Sequence, residues 1–208
     1  MHYFFDFLLL LILLGLFGYT HSFLASLKVK EFIRQQFGKA IAFYRLFYNL
    51  LSLILLYLIW EYAPHPSLQI YELNPPFDYL VLIPQFLSLI GIVWCFRYFS
   101  FKEFLGLSQI ERFLNKEYSD NELDERMIFR IEGPYKYSRH PIYFFSIVFL
   151  VFRAEMDLFY LTMLIAFIIY FYIGSVYEEK KLLRIFGKDY EEYQKKVPRI
   201  FPRVFTKS

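Results

Sequence analysis

The sequence is poor in cysteine and in net charge. Cys95 is the only cysteine and lies inside an apolar run, so the chain cannot form an internal disulfide and the redox compartment stays open. The formal net charge is only +3, and the basic residues are not gathered into one stripe, so we expect no nucleic-acid partner. No cluster of residues has the spacing of metal ligands, and we expect no metal.

Apolar residues, by contrast, are abundant. Hydrophobic residues make up 57% of the chain and aromatic residues 23%, which is typical of an integral membrane protein that crosses the bilayer several times. The first apolar run has no basic segment before it and is too long for the core of a signal peptide, so we expect it to remain as a helix. Membrane lipid is therefore an expected partner.

Five apolar segments are candidates for membrane helices. A helix needs about 20 residues to cross a hydrocarbon layer of about 30 Å. Four segments approach that length, namely 3–19, 43–60, 79–96 and 158–177, and a fifth, 142–152, is shorter. The sequence therefore predicts an all-α polytopic membrane helical bundle of about five helices. The last two would form a hairpin around the polar break at 153–157.

The connections between these segments differ in charge. The first loop holds a single acid, Glu31, against five basic residues, which are Lys28, Lys30, Arg34, Lys39 and Arg45. The next loop, 61–78, has no lysine or arginine and is rich in proline. Positively charged loops stay in the cytoplasm. We therefore expect a bacterial inner membrane protein with its N-terminus outside and its C-terminus in the cytoplasm.

We expect a single domain over residues 1–208. Residues 1–100 would hold three membrane helices, 101–140 a cytoplasmic connector, and 141–208 the hairpin and a tail. Apolar residues in the tail recur at helical spacing, which predicts a cytoplasmic C-terminal helix. Segment 27–37 fits either an amphipathic helix in the membrane interface or a simple linker.

Two polar motifs lie on either side of the last membrane segment. The first is GPYKYSRHPIY at 133–143, and the second begins at residues 178–179. Proline suits the first position of a helix, so the short membrane helix should begin at Pro141. A hairpin folded about its polar break would place His140 level with about Tyr170. The extended connector before His140 would then reach the level of the two glutamates, with a groove between connector and helix.

The motifs resemble those of the isoprenylcysteine carboxyl methyltransferase superfamily, which are integral membrane enzymes. The matching residues are Gly133-Pro134-Tyr135, Arg139-His140-Pro141-Ile142-Tyr143, Glu178-Glu179 with Leu182, Phe186-Gly187 with Tyr190, and Val197-Pro198. The resemblance implies a methyltransferase that uses S-adenosyl-L-methionine. It also implies that Tyr135, segment 140–143 and Glu179 contact this cofactor.

S-adenosylmethionine presents a sulfonium, an ammonium, a carboxylate and ribose hydroxyls. Tyrosine rings in the first motif can face a cation, and Glu178 or Glu179 can accept hydrogen bonds from the ribose or the ammonium. The helix start at Pro141, or Arg139, can receive the carboxylate. The candidate cofactor-binding residues are Tyr135, His140, Pro141, Ile142, Tyr143, Glu178 and Glu179.

Methyl transfer is an in-line displacement, so positioning should provide most of the acceleration. Arg139 and His140 are the candidate catalytic residues. Where prenylcysteine enzymes resemble one another in carrying a substrate-contacting arginine, four residues before the second glutamate, this chain has Ser175. This departure puts prenylcysteine in question as the acceptor, and we expect a small or lipophilic thiol or carboxylate.

The N-terminal half looks more like bacterial methanethiol S-methyltransferases and membrane proteins associated with nitric oxide reductase. The similar stretches are His21-Ser22-x-x-Ala25-Ser26 and Tyr44-Arg45-x-x-Tyr48-Asn49. Such a relative would methylate a small or lipophilic thiol rather than a carboxylate, and His21, Asn49 or Arg139 would favour the thiolate. The candidate substrate residues are therefore His21, Asn49 and Ser175.

Each candidate also has a structural interpretation. His140 could be an interface histidine, the two glutamates could be the solvated end of a helix, and the tyrosines could form an aromatic belt. His21 and Asn49 could join membrane helices by hydrogen bonds. Two other functions stay open: a non-enzymatic membrane protein associated with a respiratory complex, and a nicotinamide-dependent reductase.

Overall fold

The computed structural model describes residues 2–66, 68–119 and 122–202, without the side chains of His2 and Tyr3. Both ends of the predicted domain, Met1 and residues 203–208, lie outside the described residues. The described chain divides into two compact units. One unit joins Met1–His65 with Ser100–Arg126, and the other joins Pro66–Phe99 with Met127–Ser208.

Helices dominate both units, as predicted. In chain order they are α1 (His2–Ala25), α2 (Leu27–Phe37), α3 (Tyr44–Tyr62), α4 (Phe77–Leu80), α5 (Leu82–Phe96), α6 (Phe101–Leu105), α7 (Leu107–Leu114), α8 (Pro141–Val151) and α9 (Leu158–Lys196). Two 3₁₀ turns, Gly38–Phe43 and Gly133–Lys136, and two short strands, β1 (Gln69–Glu72) and β2 (Glu155–Asp157), complete the described elements.

The prediction of an all-α polytopic membrane bundle is confirmed. Four described helical segments are long and apolar enough to cross a membrane, and they are Phe4–Ala25, Leu27–Tyr62, Phe77–Phe96 and Leu158–Lys196. The predicted fifth helix exists as α8, which has 11 residues and is therefore about 16 Å long. It begins at Pro141 as expected, but it is too short to cross the bilayer as a straight helix.

The first unit is held together by polar contacts as well as by apolar packing. Segment 27–37, for which the sequence left open a helix or a linker, forms α2, and the Ser26 hydroxyl caps it by accepting from the Val29 amide. Lys30 is buried and pairs with Asp124. Glu103, also buried, accepts hydrogen bonds from Gln109 and Arg112. These buried charges are paired, as burial requires, and they fasten the segment after α7 to the helices.

The second unit contains the predicted hairpin and its neighbours. In this unit α5 packs against α8, where the ring of Phe145 lies directly against the backbone at Gly91. The polar break between α8 and α9 is more than a turn, because β2 pairs with β1 in an antiparallel register that sets Glu72 opposite Glu155. Asp157 then caps α9 by accepting from the Tyr160 amide at 2.7 Å. An extended stretch therefore separates the two helices.

The helix α9 continues far beyond its apolar part. It runs to Lys196, which agrees with the helical periodicity of the tail, and it bends at Gly187, whose φ is +55°. Glycine adopts such a left-handed conformation without the steric cost that other residues meet. After Lys196 the chain is extended and returns to the start of α8.

Candidate functional site

The start of α8 and the polar part of α9 meet in one cluster of side chains. The Nε2 atom of His140 lies 3.2 Å from a carboxylate oxygen of Glu179, and its Nδ1 atom lies 3.4 Å from an oxygen of Glu178. The hydroxyl of Tyr143, one turn into α8, donates to the same Glu178 oxygen at 3.2 Å. The structure thus brings together the two motifs that the sequence singled out.

His140 meets the glutamates directly, which corrects the expectation that it lies level with Tyr170. The expectation assumed that the break between the helices was a compact turn. Residues 152–157 include strand β2 instead, and six extended residues cover about 20 Å where a helix would cover about 9 Å. The start of α8 is therefore displaced along α9 by about two helical turns.

Glu179 is the centre of the cluster. Its side chain is only 3% exposed, and it accepts hydrogen bonds from Gln194 at 2.9 Å and from Arg199 at 3.0 and 3.2 Å. Arg139 adds a second positive charge, with Nε 3.3 Å from the carboxylate but not aligned for a hydrogen bond. The carboxylate is therefore occupied by protein donors, and it positions the groups around it.

Glu178 has a different environment. Its side chain is 39% exposed, although it contacts His140 and Tyr143. A carboxylate can accept about four hydrogen bonds. Glu178 therefore keeps acceptor capacity on an accessible side, which Glu179 does not.

His140 is poised to be positively charged. Burial by itself lowers the pKa of His140, but its hydrogen bonds and charge interactions with Glu178 and Glu179 outweigh burial and raise the pKa above its usual value. Both ring nitrogens face carboxylate oxygens, and a histidine can donate from both nitrogens only as the imidazolium. The histidine thus lies between the two glutamates, and its imidazolium form can donate to both.

Aromatic rings line the α8 side of the cluster. The rings of His140 and Tyr143 are stacked with centroids 5.2 Å apart, and Tyr143 stacks on Phe171 of α9 at 4.8 Å. Tyr135 is fixed through its backbone, because its carbonyl accepts from the Tyr193 hydroxyl at 2.6 Å. Burial, above all, raises the pKa of Tyr135, so its hydroxyl stays protonated.

The segment after α9 completes the cluster through contacts that the sequence did not predict. The amides of Arg139 and His140 each donate, at 2.9 Å, to the carbonyls of Pro198 and Arg199 respectively. The buried Ser138 hydroxyl donates to the Ile200 carbonyl at 2.7 Å. The Val197-Pro198 motif was a signal for this segment, but the motif alone did not say what the segment pairs with.

Other predicted site residues have structural neighbours of their own. Pro141 and Ile142 form the first turn of α8. Ser175 is fully buried, and its hydroxyl donates to the Tyr172 carbonyl at 2.7 Å. This bond turns the serine hydroxyl toward its own helix.

The two N-terminal candidates belong to the first unit. His21 lies in α1 and contacts α3 through both ring nitrogens, with Ser52 at 2.9 Å and with the Tyr48 hydroxyl. Asn49 donates to the Phe104 carbonyl at 2.9 Å. Both residues therefore join elements by hydrogen bonds, which is the structural role considered for them.

The cluster in the second unit has the groups that S-adenosylmethionine needs. Glu178 is an accessible acceptor, and the half-buried Tyr143 donates a hydrogen bond to it. Among the described residues, the buried Nε of Arg139 lacks an aligned hydrogen-bond partner, which suits an anionic ligand group. A search of the same residues finds no group of three or more histidine, cysteine or acidic side chains arranged to hold a metal.

Several named enzymes are similar to this chain along most of its length. Methanethiol S-methyltransferase 1 of Bradyrhizobium diazoefficiens is 30% identical over 198 residues, which cover 92% of this chain. The chain spans 65% of the length of that relative. The methanethiol S-methyltransferase of Crocosphaera subtropica is 29% identical over 94% of this chain and 74% of its own length. The chain is similar to methanethiol S-methyltransferases.

The similarity covers both units rather than the C-terminal motifs alone. The methanethiol S-methyltransferase of Pseudomonas deceptionensis, at 28% identity, also matches 92% of this chain and 71% of its own length. No family model matches the sequence, and no solved structure matches it. The relatives support the prediction of a membrane methyltransferase at the level of the broad family.

Proposed function

We propose that this protein is an integral membrane methyltransferase that uses S-adenosyl-L-methionine to methylate a small or lipophilic thiol. The observation that carries the proposal is the contact of His140 with Glu178 and Glu179, which joins both polar motifs in one cluster. The choice of a thiol follows the names of the relatives, all of which refer to methanethiol.

The cofactor side of the site is assigned to the accessible face of the cluster. When bound, S-adenosylmethionine supplies an electrophilic methyl group on a sulfonium. Glu178 accepts hydrogen bonds from its ribose or ammonium, and the ring of Tyr135 faces the positive charge. The amides of Ile142 and Tyr143 in the first turn of α8 receive the carboxylate, near the positive charge of Arg139.

Positioning is the main task of the remaining groups. His140 as a cation fixes both glutamates, and Glu179 in turn holds the arginines around it. An in-line displacement gains most from holding the two reacting atoms at the correct distance and angle. Rigid support of Glu178 therefore places the cofactor for attack, and His140 and Arg139 act by holding the two glutamates in position.

The net charge is the same before and after the reaction. The displacement is direct and needs neither a metal nor a covalent enzyme intermediate. The acceptor thiol first loses its proton to water, and its thiolate sulfur then forms a bond to the methyl carbon. The bond from that carbon to the sulfonium breaks, and the electron pair stays on the donor sulfur. The thiolate and the sulfonium carry opposite charges, and both products are neutral thioethers at the reacting sulfur atoms. The step therefore neutralises the two charges. A desolvated site favours such a reaction.

Binding of the donor is the first test. We expect the purified full-length protein in detergent to bind S-adenosylmethionine, and Glu178→Gln to weaken binding at least about 10-fold, as loss of a charged hydrogen-bond partner does. The matched control is Glu192→Gln, an exposed glutamate on the same helix, which should change the affinity less than about twofold. Absence of binding by the unaltered protein would contradict the assignment.

Methyl transfer is the second test. Supplied with methanethiol and a radiolabelled donor, the protein should release labelled dimethyl sulfide, which can be separated by its volatility. Carboxylate acceptors, such as a prenylcysteine analogue, should give little product. Transfer to the carboxylate instead of the thiol would replace the acceptor class while keeping the cofactor.

A further inference from the structure

Positive groups outnumber negative groups in the cluster around Glu179. The guanidinium groups of Arg139 and Arg199 both lie against Glu179, so two permanent positive charges share one buried carboxylate. Buried charges are normally paired. An anion that binds here would therefore complete the balance of charge.

Arg199 is the cation with the most access. Its Nε and Nη2 atoms bind Glu179, while the centre of its guanidinium lies 5.4 Å from the ring of Tyr172. Its side chain remains 29% exposed, and within the described chain its Nη1 makes no hydrogen bond. This nitrogen is a donor that a ligand can use.

Two adjacent faces of α9 contact different side chains, and Arg199 lies on one of these faces. Residues seven apart lie on the same face of a helix, about 10 Å from each other. The face of Phe171 and Glu178 carries Tyr143, which stacks on one and donates to the other. The adjacent face of Tyr172 and Glu179 carries Arg199. The proposed cofactor groups thus occupy one face and the accessible arginine occupies the next.

Ser175 lies on α9 between the face of Phe171 and Glu178 and the face of Tyr172 and Glu179. It is fully buried, and its hydroxyl is bonded to its own helix, so it offers no polar group to a ligand. Arg199, from the segment after the helix, contacts both Tyr172 and Glu179. The hydrogen-bond donors beside Tyr172 and Glu179 therefore include those of Arg199.

We infer that Arg199 binds the methyl acceptor as its thiolate, an inference that rests on the proposed function. Even the thiol of cysteine, with a pKa near 8.5, is only a few per cent ionised at pH 7, and a simple alkyl thiol is ionised still less. A neighbouring guanidinium favours the charged form and so increases the fraction of reactive thiolate. Arg199 is thus a specificity residue for acidic small acceptors.

Three variants test the role of Arg199 in the full-length protein. Arg199→Gln removes the charge, Arg199→Lys keeps it without the forked donors, and Arg184→Gln makes the same change at an exposed position of α9. We expect Arg199→Gln to lower kcat/KM for methanethiol by about 10- to 100-fold. The affinity for the donor should change less than about twofold. Arg199→Lys should recover part of the loss, and Arg184→Gln should behave as the unaltered protein.

The pH dependence separates a binding role from a structural one. The acidic limb of kcat for methanethiol, which reports groups in the enzyme–substrate complex, should move to higher pH in Arg199→Gln, by about one pH unit for a tenfold loss of bound thiolate, and should stay in place in Arg184→Gln. The inference is overturned if the acidic limb of the pH profile does not move in Arg199→Gln, or if this variant loses only affinity for the donor. The second result would mean that the anion bound by Arg199 is the carboxylate of the donor.

A titration without the donor keeps this inference distinct from the proposed function. Thiophenol can be titrated by its thiolate absorbance in the presence of the protein. Its pKa should fall when the unaltered protein or Arg184→Gln is present and should stay near the free value with Arg199→Gln. If the pKa of thiophenol falls equally with the unaltered protein, Arg184→Gln and Arg199→Gln, the role of Arg199 is overturned, whether or not the protein binds the donor. Failure of donor binding alone overturns only the proposed function.

Discussion

Glu178 and Glu179 are neighbours in sequence, but the structure gives them different tasks. The side chain of Glu179 is almost completely buried and serves as a common acceptor for several donors, whereas that of Glu178 is partly exposed. Removing one partner of a buried ion pair leaves an uncompensated charge, which is far more costly than the same change at an exposed pair. The two carboxylates can therefore be separated by experiment.

Glu179→Gln should destabilise the protein much more than Glu178→Gln. We expect a loss of about 3 kcal/mol for the first and no more than about 1 kcal/mol for the second. Thermal unfolding of the two variants in the same detergent measures the difference, and Glu192→Gln serves as the neutral reference. Equal loss in both variants would contradict the central position of Glu179.

His140 should make stability depend on pH in a specific direction. Its pKa in the folded protein is above the usual value because of the two glutamates. A raised pKa contributes stability that is fully present below the unfolded pKa and is lost as pH rises through the folded pKa. The unaltered protein should therefore lose stability relative to His140→Gln as the pH rises above about 6.5, the ordinary pKa of histidine. Parallel profiles of unfolding temperature against pH would show that the histidine is not charged.

At the scale of elements, the contact between α5 and α8 depends on the absence of a side chain at Gly91. A Cβ atom there would overlap the ring of Phe145. We expect Gly91→Ala to destabilise the protein by about 1 to 3 kcal/mol, the usual cost of overpacking. Thermal unfolding measures this cost, and Gly91→Ala combined with Phe145→Ala should show part of it relieved.

Gly174 provides the control for that substitution. It is also a helical glycine of the second unit, but a Cβ atom there would meet only the Tyr143 hydroxyl, at 3.9 Å. Gly174→Ala should therefore leave the unfolding temperature unchanged or raise it slightly, since alanine favours helix. A larger loss at Gly174 than at Gly91 would contradict the packing of α5 against α8.

The helices could be predicted from the sequence, but the extended segments could not. Long apolar runs and Pro141 determine where the membrane helices lie and where α8 begins, because both effects are local. The pairing of β1 with β2 joins strands more than 80 residues apart, and the return of 198–200 to the start of α8 is also a distant contact. Neither segment has a periodic pattern that reveals its partner. The predicted level of His140 was wrong for this reason.

The site shows the same division between local and distant information. The motifs indicated His140, Tyr143 and the two glutamates, and the structure brings these together. Gln194 and Arg199 complete the environment of Glu179, but a lone glutamine and a basic residue near the tail carry no pattern that separates them from ordinary surface residues. Contacts that cross the fold decide which polar residues matter.

At the scale of the whole molecule, the orientation in the membrane is a prediction from loop charge. After Cys95→Ser removes the only cysteine, single cysteines can be placed at Leu68 and at Glu117, in loops of opposite predicted location. A membrane-impermeant maleimide should label Leu68→Cys in intact bacterial cells and Glu117→Cys only after the membrane is opened. The reverse labelling pattern would invert the orientation and place the proposed site outside the cytoplasm.

The backbone bonds from residues 139 and 140 to Pro198 and Arg199 also set a time at which the protein can become active. During translation, the start of α8 is synthesised before Pro198 and Arg199, whose carbonyls accept its backbone hydrogen bonds. Until Arg199 has been translated and has left the ribosome, Glu179 lacks one of its cations and the loop before α8 lacks its backbone partners. The membrane helices can insert one by one during synthesis, whereas the cluster that we assign to catalysis can form only afterwards.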